Sequence, residues 1–113
     1  MRIVDVWINC PSADVADAIA DALISKRLVA CSNRYGEIAS RYFWKGKIEE
    51  AIEVPLLVKT RLSLFEAVKD ETIRLHPYET PSVLGVEISA GNQEYIDWVY
   101  AETEPKGQTP GSE

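Results

Sequence analysis

Cys10 and His76 combine two types of soft ligand that copper and zinc prefer. Cys10 carries a thiol and His76 is the single histidine of the chain, and sulfur combined with imidazole suits these metals. Glu79 follows three residues after His76 and would add an oxygen ligand. We therefore predict a copper or zinc site formed by Cys10, His76 and Glu79. The alternative is structural, with Cys10 a small buried hydrophobe at a strand end and His76 closing a helix.

The segment His76-Pro77-Tyr78-Glu79 predicts a rigid turn that presents polar side chains. A helix must stop there, because the residue before a proline avoids the helical region. One hypothesis places the turn in a cleft that binds a small ligand or ion. The other makes it only a helix stop, with Tyr78 packed on a neighbouring subunit.

Other polar residues give weaker indications of chemistry. Glu49, Glu50 and Glu53 could attract cations, but charge runs on strands are usually a solvated face. Lys59 is typical of a surface lysine whose stem covers apolar area. The sequence contains no phosphate-binding loop and no nucleophile elbow, and one histidine leaves little general acid–base chemistry near neutral pH. We therefore predict that the protein is not an enzyme.

The order of predicted elements is βαββαβ followed by a further helix. Right-handed crossovers make this pattern a ferredoxin-like α+β sheet with its helices on one face. Gly36 indicates a bulge in the first strand of a long hairpin, and Pro55 requires a bulge or an unpaired stretch in the second. The elements are a strand ended by Pro11, a helix capped by Ser12 and running to about Ser25, two long strands between Val29 and Thr60 that meet at Lys45-Gly46, a helix opened by the capping box Ser63–Glu66, a strand from Val83 to Ile88, and a helix capped by Asn92.

Apolar residues fall on both faces of the predicted sheet. Ile3, Trp7 and Leu57 lie on the face that the helices leave open, and Tyr42-Phe43-Trp44 lies near the hairpin tip. A sheet that is apolar on both faces requires a second covering layer. This pattern indicates self-association.

The two cysteines are predicted to lie at opposite ends of the sheet. Cys10 ends the first strand, at the same edge as the segment from His76 to Glu79, whereas Cys31 begins the second strand beside Lys59. The separation is about 15–20 Å at about 3.3 Å per residue, far beyond the reach of a disulfide. We expect two free thiols within a subunit, with at least Cys31 buried.

Length and charge limit the classes of function. With 113 residues and a net charge of −6, the chain fits one domain and lacks the basic surface of a nucleic-acid-binding protein. No apolar run approaches the ~20 residues of a membrane helix, so we expect no membrane partner and a cytoplasmic location. The domain should cover residues 1–103, and the Pro/Gly/Ser-rich residues 104–113 should form a flexible tail.

Five sequence blocks occur in an order that resembles the CutA-type divalent-cation-tolerance family. The resemblance implies a ferredoxin-like homotrimer whose long hairpins pair between subunits, similar in architecture to PII signalling trimers. It also implies binding of divalent cations, copper above all, with zinc or another divalent cation as alternatives, and no secure catalytic activity. The blocks are Asn9–Ser12, Leu28–Asn33, Tyr42–Glu50, Leu57–Thr60 and His76–Pro81.

Two functions follow from this resemblance. The first is a non-enzymatic trimer that binds divalent cations and contributes to metal tolerance. The alternative is a PII-like signalling trimer that binds a small ligand in an intersubunit cleft, to which Trp44, Lys59 and Tyr78 would contribute.

Overall fold

One antiparallel sheet and three helices form the part of the chain that the structure, a computed structural model, describes: residues 1–103. The predicted tail, residues 104–113, lies outside the described residues. The elements are β1 (Ile3–Cys10), α1 (Ala13–Ser25), β2 (Cys31–Arg34), β3 (Ile38–Trp44), β4 (Lys47–Arg61), a 3-10 turn (Leu62–Leu64), α2 (Phe65–Leu75), β5 (Val83–Glu87) and α3 (Gln93–Glu102).

The strand order β2-β4-β1-β5 places β1 at the centre of the sheet, with β3 pairing with β4. Both neighbours of β1 run antiparallel to it. The order confirms the predicted ferredoxin-like α+β sheet. It also makes β2 and β5 the edges of the main sheet.

A long hairpin extends beyond the end of the main sheet. β4 has 15 residues, and β1 pairs only with its second half, from Val54 to Arg61. The first half of β4 pairs with the seven-residue β3 alone, so the hairpin projects by about 23 Å at about 3.3 Å per residue. Lys45 and Gly46 form its turn with φ of 50° and 83°, the positive values that a two-residue type I′ turn requires.

The predicted bulge interrupts the strand that pairs with β4. Arg34 pairs with Leu56 and Ile38 pairs with Glu53, so β4 uses one residue fewer over the same stretch. The amide of Tyr35 still donates to the carbonyl of Pro55 at 2.9 Å. The bulge around Gly36 thus lies opposite the proline, where one strand lacks an N–H.

The main core lies between the sheet and helices α1 and α2. β1 contributes Val4, Val6 and Ile8, as their alternation predicts. The hydroxyl oxygen of Ser12 accepts from the amide of Val15 at 3.2 Å and caps α1 as expected. This packing fixes β1, and with it the residues at its C-terminal end.

Helix α3 packs on the opposite face of the sheet, which differs from the predicted single helical layer. Ile3 points away from the main core and forms a second buried cluster with Val99 and Tyr100. Buried Arg61, the cross-strand partner of Ile3, donates to the carbonyl of Tyr100 at 2.6 Å. The chain therefore supplies part of the second covering layer itself. No helix among residues 1–103 has the length and apolar character needed to cross a bilayer.

Helix α2 begins differently from the capping-box prediction. A 3-10 turn occupies residues 62–64, and the residue before the helix is Leu64, whose side chain has no capping oxygen. The amide of Leu62, in this turn, donates to the carbonyl of Arg2 at 2.8 Å. The helix ends at Leu75, directly before His76, as Pro77 predicts.

Candidate functional site

His76 is buried and both of its ring nitrogens are engaged. Its Nε2 lies 2.8 Å from the carbonyl oxygen of Asn9, which can only accept, so Nε2 carries the proton. Its Nδ1 accepts from the amide of Tyr78 at 3.2 Å. In this chain His76 fixes the end of β1 to the end of α2. Binding a metal would require one of these hydrogen bonds to break.

Cys10 ends β1 and is fully buried beside Val54. Burial, with a smaller contribution from the charge of Glu53, raises the pKa of the thiol to about 11. The thiolate is the form that binds metals. At neutral pH this group is therefore a protonated, inward-facing thiol.

Glu79 lies at an exposed position, with its carboxylate 3.4 Å from Nζ of Lys45. Within residues 1–103, no three side chains of His, Cys, Asp or Glu come together as a metal site. The three predicted ligands thus do not form a closed site in one chain. The metal site they would form with a second subunit stays a prediction.

A cleft of about 610 Å³ separates the hairpin from the segment 77–82. Trp44 and Tyr78, two of the predicted cleft residues, both line it. Lys59 does not, because it pairs with Cys31 near the other end of the sheet and its Nζ contacts Asp5 at 3.2 Å. The predicted grouping of all three residues would require a second subunit and stays a prediction.

Glu53 is the central polar residue of this cleft. It is 7% exposed, and its Oε2 accepts from the hydroxyl of Tyr78 at 3.0 Å. Burial, followed by the hydrogen bond to Glu53, raises the pKa of Tyr78 to about 12. Tyr78 therefore stays protonated and donates to the carboxylate throughout the neutral range.

Sequence reasoning grouped Glu53 with the solvated acidic residues of the hairpin. The sequence feature that could have indicated burial of Glu53 is its position directly before the long apolar run of β4. Glu49 and Glu50 lie in the projecting part of the hairpin and are exposed, whereas Glu53 lies at its base, where the buried run begins. Charge alone does not distinguish the buried Glu53 from the exposed Glu49 and Glu50.

The two cysteines are both free, as the distance argument predicts. The prediction that Cys31 is buried is wrong, because it is partly exposed whereas Cys10 is buried. β2 is an edge strand of the main sheet, which gives its side chains less cover. The Cys31 sulfur lies 3.6 Å from the hydroxyl of Tyr95.

The small antiparallel α+β domain with a projecting hairpin and a cleft at its base matches a known class of ion-tolerance proteins. Residues 4–102 match the family CutA1 divalent ion tolerance protein. The chain therefore belongs to this family, as the ordered sequence blocks predict.

Individual relatives agree with this assignment. The divalent-cation tolerance protein CutA of Thermus thermophilus is 42% identical over 98 residues, which cover 87% of this chain and 95% of the relative. The structure of the periplasmic divalent cation tolerance protein CutA from Archaeoglobus fulgidus superimposes with a TM-score of 0.87 at 38% identity, covering 92% of this chain and 100% of that one.

Mammalian relatives are longer than this chain. Protein CutA of Mus musculus is 43% identical over 98 residues, which are 87% of this chain but 55% of the relative. The chain thus spans about half the length of such relatives. Their additional segments have no counterpart in the aligned region.

Proposed function

We propose that this chain acts as a non-enzymatic homotrimer that binds divalent cations, copper above all, and contributes to metal-ion tolerance. Membership of the divalent ion tolerance family supports the general role. The observation that carries the proposal is an uncovered apolar stripe on the projecting hairpin.

The apolar stripe consists of Phe43, Ile48 and Ile52 on one face of the hairpin. Phe43 and Ile48 are cross-strand partners and are 76% and 63% exposed, and Ile52 is 57% exposed. On the edge strand β5, Leu84 and Val86 are also exposed. The Arg41–Glu50 ion pair lies between Ile52 and the Phe43–Ile48 pair on this face. Exposed apolar area of this kind marks an interface, and a closed trimer would cover both the stripe and the sheet edges.

The cation site is proposed to lie where subunits meet. A single chain places Cys10 and His76 at the end of β1 and Glu79 beside Lys45 of the hairpin turn, without assembling three ligands within the described residues. A neighbouring hairpin would bring further donors to this region. Sulfur, imidazole and carboxylate together favour copper or zinc.

Titration with Cu(II), followed by calorimetry and light scattering on the same sample, tests this function. We expect trimer mass and saturable binding, with affinity lowered more than about tenfold in His76→Ala and Cys10→Ser, since losing a ligand exceeds the 10- to 100-fold cost of losing a ligand's hydrogen-bonding partner. Cys31→Ser is the matched control and should bind normally. Binding should also weaken as pH falls, because the ligands must be deprotonated to bind the metal. Wild-type affinity in both ligand variants would eliminate these residues as ligands.

The cleft at the hairpin base favours a second candidate, a PII-like trimer that binds a small ligand. Its volume of about 610 Å³ lies within the range of small-molecule sites. A thermal-shift screen of nucleotides, organic acids and amines tests this function. A ligand at a hundredfold excess over its Kd should stabilise the protein by about 2.7 kcal/mol.

A further inference from the structure

The cleft contains a buried carboxylate with no cation beside it. Glu53 lines the cleft and is 7% exposed. Among residues 1–103, its hydrogen-bond partner is the Tyr78 hydroxyl, on one oxygen, and no Lys, Arg or His side chain pairs with it. Burying an ionised carboxylate is costly unless a cation accompanies it. The other oxygen of Glu53 is not among the buried atoms that lack a partner in the described part of the chain, so it is open to the cleft and available to a positively charged group.

Aromatic residues line the same cleft as this carboxylate. Tyr42 and Trp44 of β3 line the cleft on the hairpin side, and Tyr78 lines it on the other. Ring faces attract cations, most strongly when the cation is desolvated. Arg41 also lines the cleft, and its guanidinium pairs with the carboxylate of Glu50 at 2.5 Å.

The chain's own Lys45 already places an ammonium group at the mouth of the cleft. Its Nζ lies 5.5 Å from the centroid of the Trp44 ring and 3.4 Å from a carboxylate oxygen of Glu79. The Lys45 and Glu79 side chains are 69% and 70% exposed, and such surface pairs are weak. The mouth thus accommodates an ammonium group that a ligand can displace.

The lining suits an organic ammonium better than a bare metal ion. Within the described residues no three metal-ligating side chains converge here, and divalent ions require several such ligands. An alkylammonium needs one carboxylate for its N–H donors and apolar walls for its carbon chain. The cleft provides both.

We propose that this cleft binds a small primary alkylammonium ligand, with its ammonium group on the free oxygen of Glu53 and its alkyl chain extending along the cleft towards Tyr42. The inference rests on the small-ligand function of the cleft and is independent of divalent-cation binding. Glu53 would set specificity for charge, and the aromatic walls would select a short unbranched chain.

NMR titration with n-butylammonium chloride tests the inference, with 1-butanol as the neutral ligand of similar shape. We expect saturable millimolar binding that shifts the amides of Glu53 and Tyr78, and no comparable binding of 1-butanol. Glu53→Gln keeps an oxygen for Tyr78 but removes the charge, so it should weaken binding by about tenfold or more. Glu66→Gln is the control and should leave affinity unchanged, because Glu66 is exposed on helix α2, pairs with Lys69 and does not line the cleft. Lys45→Met removes the competing ammonium and should tighten binding by about two- to threefold.

Equal binding of 1-butanol, unchanged affinity in Glu53→Gln, or no binding by the wild type would overturn the inference. Titration with Cu(II) alone separates the two functions. If Cu(II) binds and butylammonium does not, only the ammonium site is wrong. If butylammonium binds and Cu(II) does not, the ammonium site stands and the copper-binding function falls. Direct competition between them at Glu53 would mean that the cleft is a metal site, which also overturns the inference.

Discussion

Two buried threonines differ in what their hydroxyl groups contact. Thr60 in β4 donates to the carbonyl of Leu28 at 2.6 Å. Thr72 in α2 is equally buried, but its Oγ1 is the one buried side-chain oxygen or nitrogen without a hydrogen-bond partner in the described part of the chain. An unsatisfied buried hydroxyl costs stability, whereas a paired one contributes to it.

Replacing each threonine by valine should therefore change stability in opposite directions. Thr72→Val removes an unsatisfied hydroxyl at constant volume and should raise the free energy of unfolding by about 1 kcal/mol. Thr60→Val leaves the Leu28 carbonyl without its donor and should lower it by about 1–3 kcal/mol. Chemical denaturation of both variants at equal protein concentration measures the difference. A loss of stability in Thr72→Val would mean that its hydroxyl has a partner in solution.

For individual residues, the sequence predicted which side chains lie close together more accurately than it predicted the role of each. Cys10, His76 and Tyr78 do gather near the end of β1, since strand and helix directions follow from the topology. The hydrogen-bond partners of His76 come from the backbone of a distant residue and of a turn, and no side-chain pattern encodes such contacts. The burial of Glu53 depends on where the hairpin leaves the sheet, which the alternation of β4 does not reveal.

Helices α1 and α2 are joined by a small ion-pair network. Glu71 of α2 accepts from Arg74 at 2.7 and 2.8 Å and from Lys26, the residue directly after α1, at 2.5 Å. These contacts, led by Arg74, lower the pKa of Glu71 from its ordinary 4.5 to about 2. Because the pKa is depressed on folding, the stability it contributes is complete above pH 4.5 and is lost as pH falls towards 2.

We expect Glu71→Gln to lower the Tm at pH 7, because the charge that faces Lys26 and Arg74 is removed. The difference from the wild type should shrink as pH falls below 4.5 and vanish near 2. Glu66→Gln is the matched control, because Glu66 is exposed and pairs with Lys69 of the same helix. Thermal unfolding across this pH range measures the Tm of both variants. If the Tm difference between the wild type and Glu71→Gln did not change with pH, the ion-pair network would be excluded as the source of that difference.

Strand β5 needs glycine at residue 85 because an aromatic ring covers it. A Cβ on Gly85 would lie 2.9 Å from the ring of Phe65 and 3.1 Å from a methyl of Val4. Gly85→Ala should therefore force the ring to shift and lower the free energy of unfolding by about 1–3 kcal/mol. The double variant Gly85→Ala with Phe65→Leu should recover part of the loss. Denaturation of both variants tests the contact.

The elements themselves followed closely from local chemistry. Ser12 caps α1, the Lys45-Gly46 turn has positive φ, and Pro77 ends α2, because each depends on residues adjacent in sequence. The face on which α3 packs was not predictable in this way. It depends on Ile3 and Arg61, which lie far from α3 in sequence and meet it only in the folded sheet.

Assembly of the whole molecule should depend on the apolar stripe of the hairpin. Phe43→Glu and Ile48→Glu place charge where a neighbouring subunit is proposed to pack, so each should reduce the mass in solution from trimer to monomer. Ile73→Glu is the matched control, because Ile73 is 47% exposed on helix α2, away from the stripe. Light scattering at micromolar concentration measures all three. A trimer in both stripe variants would place the interface elsewhere.

The two-residue turn of the hairpin also has a consequence for the order of folding. β3 and β4 meet through Lys45-Gly46, so their contacts are local, whereas β1 pairs with β4 and β5 across most of the chain. Loop-closure entropy favours the local ladder first, and hairpins form within about 1–10 μs, well before pairings of high contact order. The projecting strand pair would then exist before the central strand is in place. Its apolar stripe is thus exposed early in folding. Correct assembly and aggregation then compete for this exposed surface, and aggregation gains as protein concentration rises.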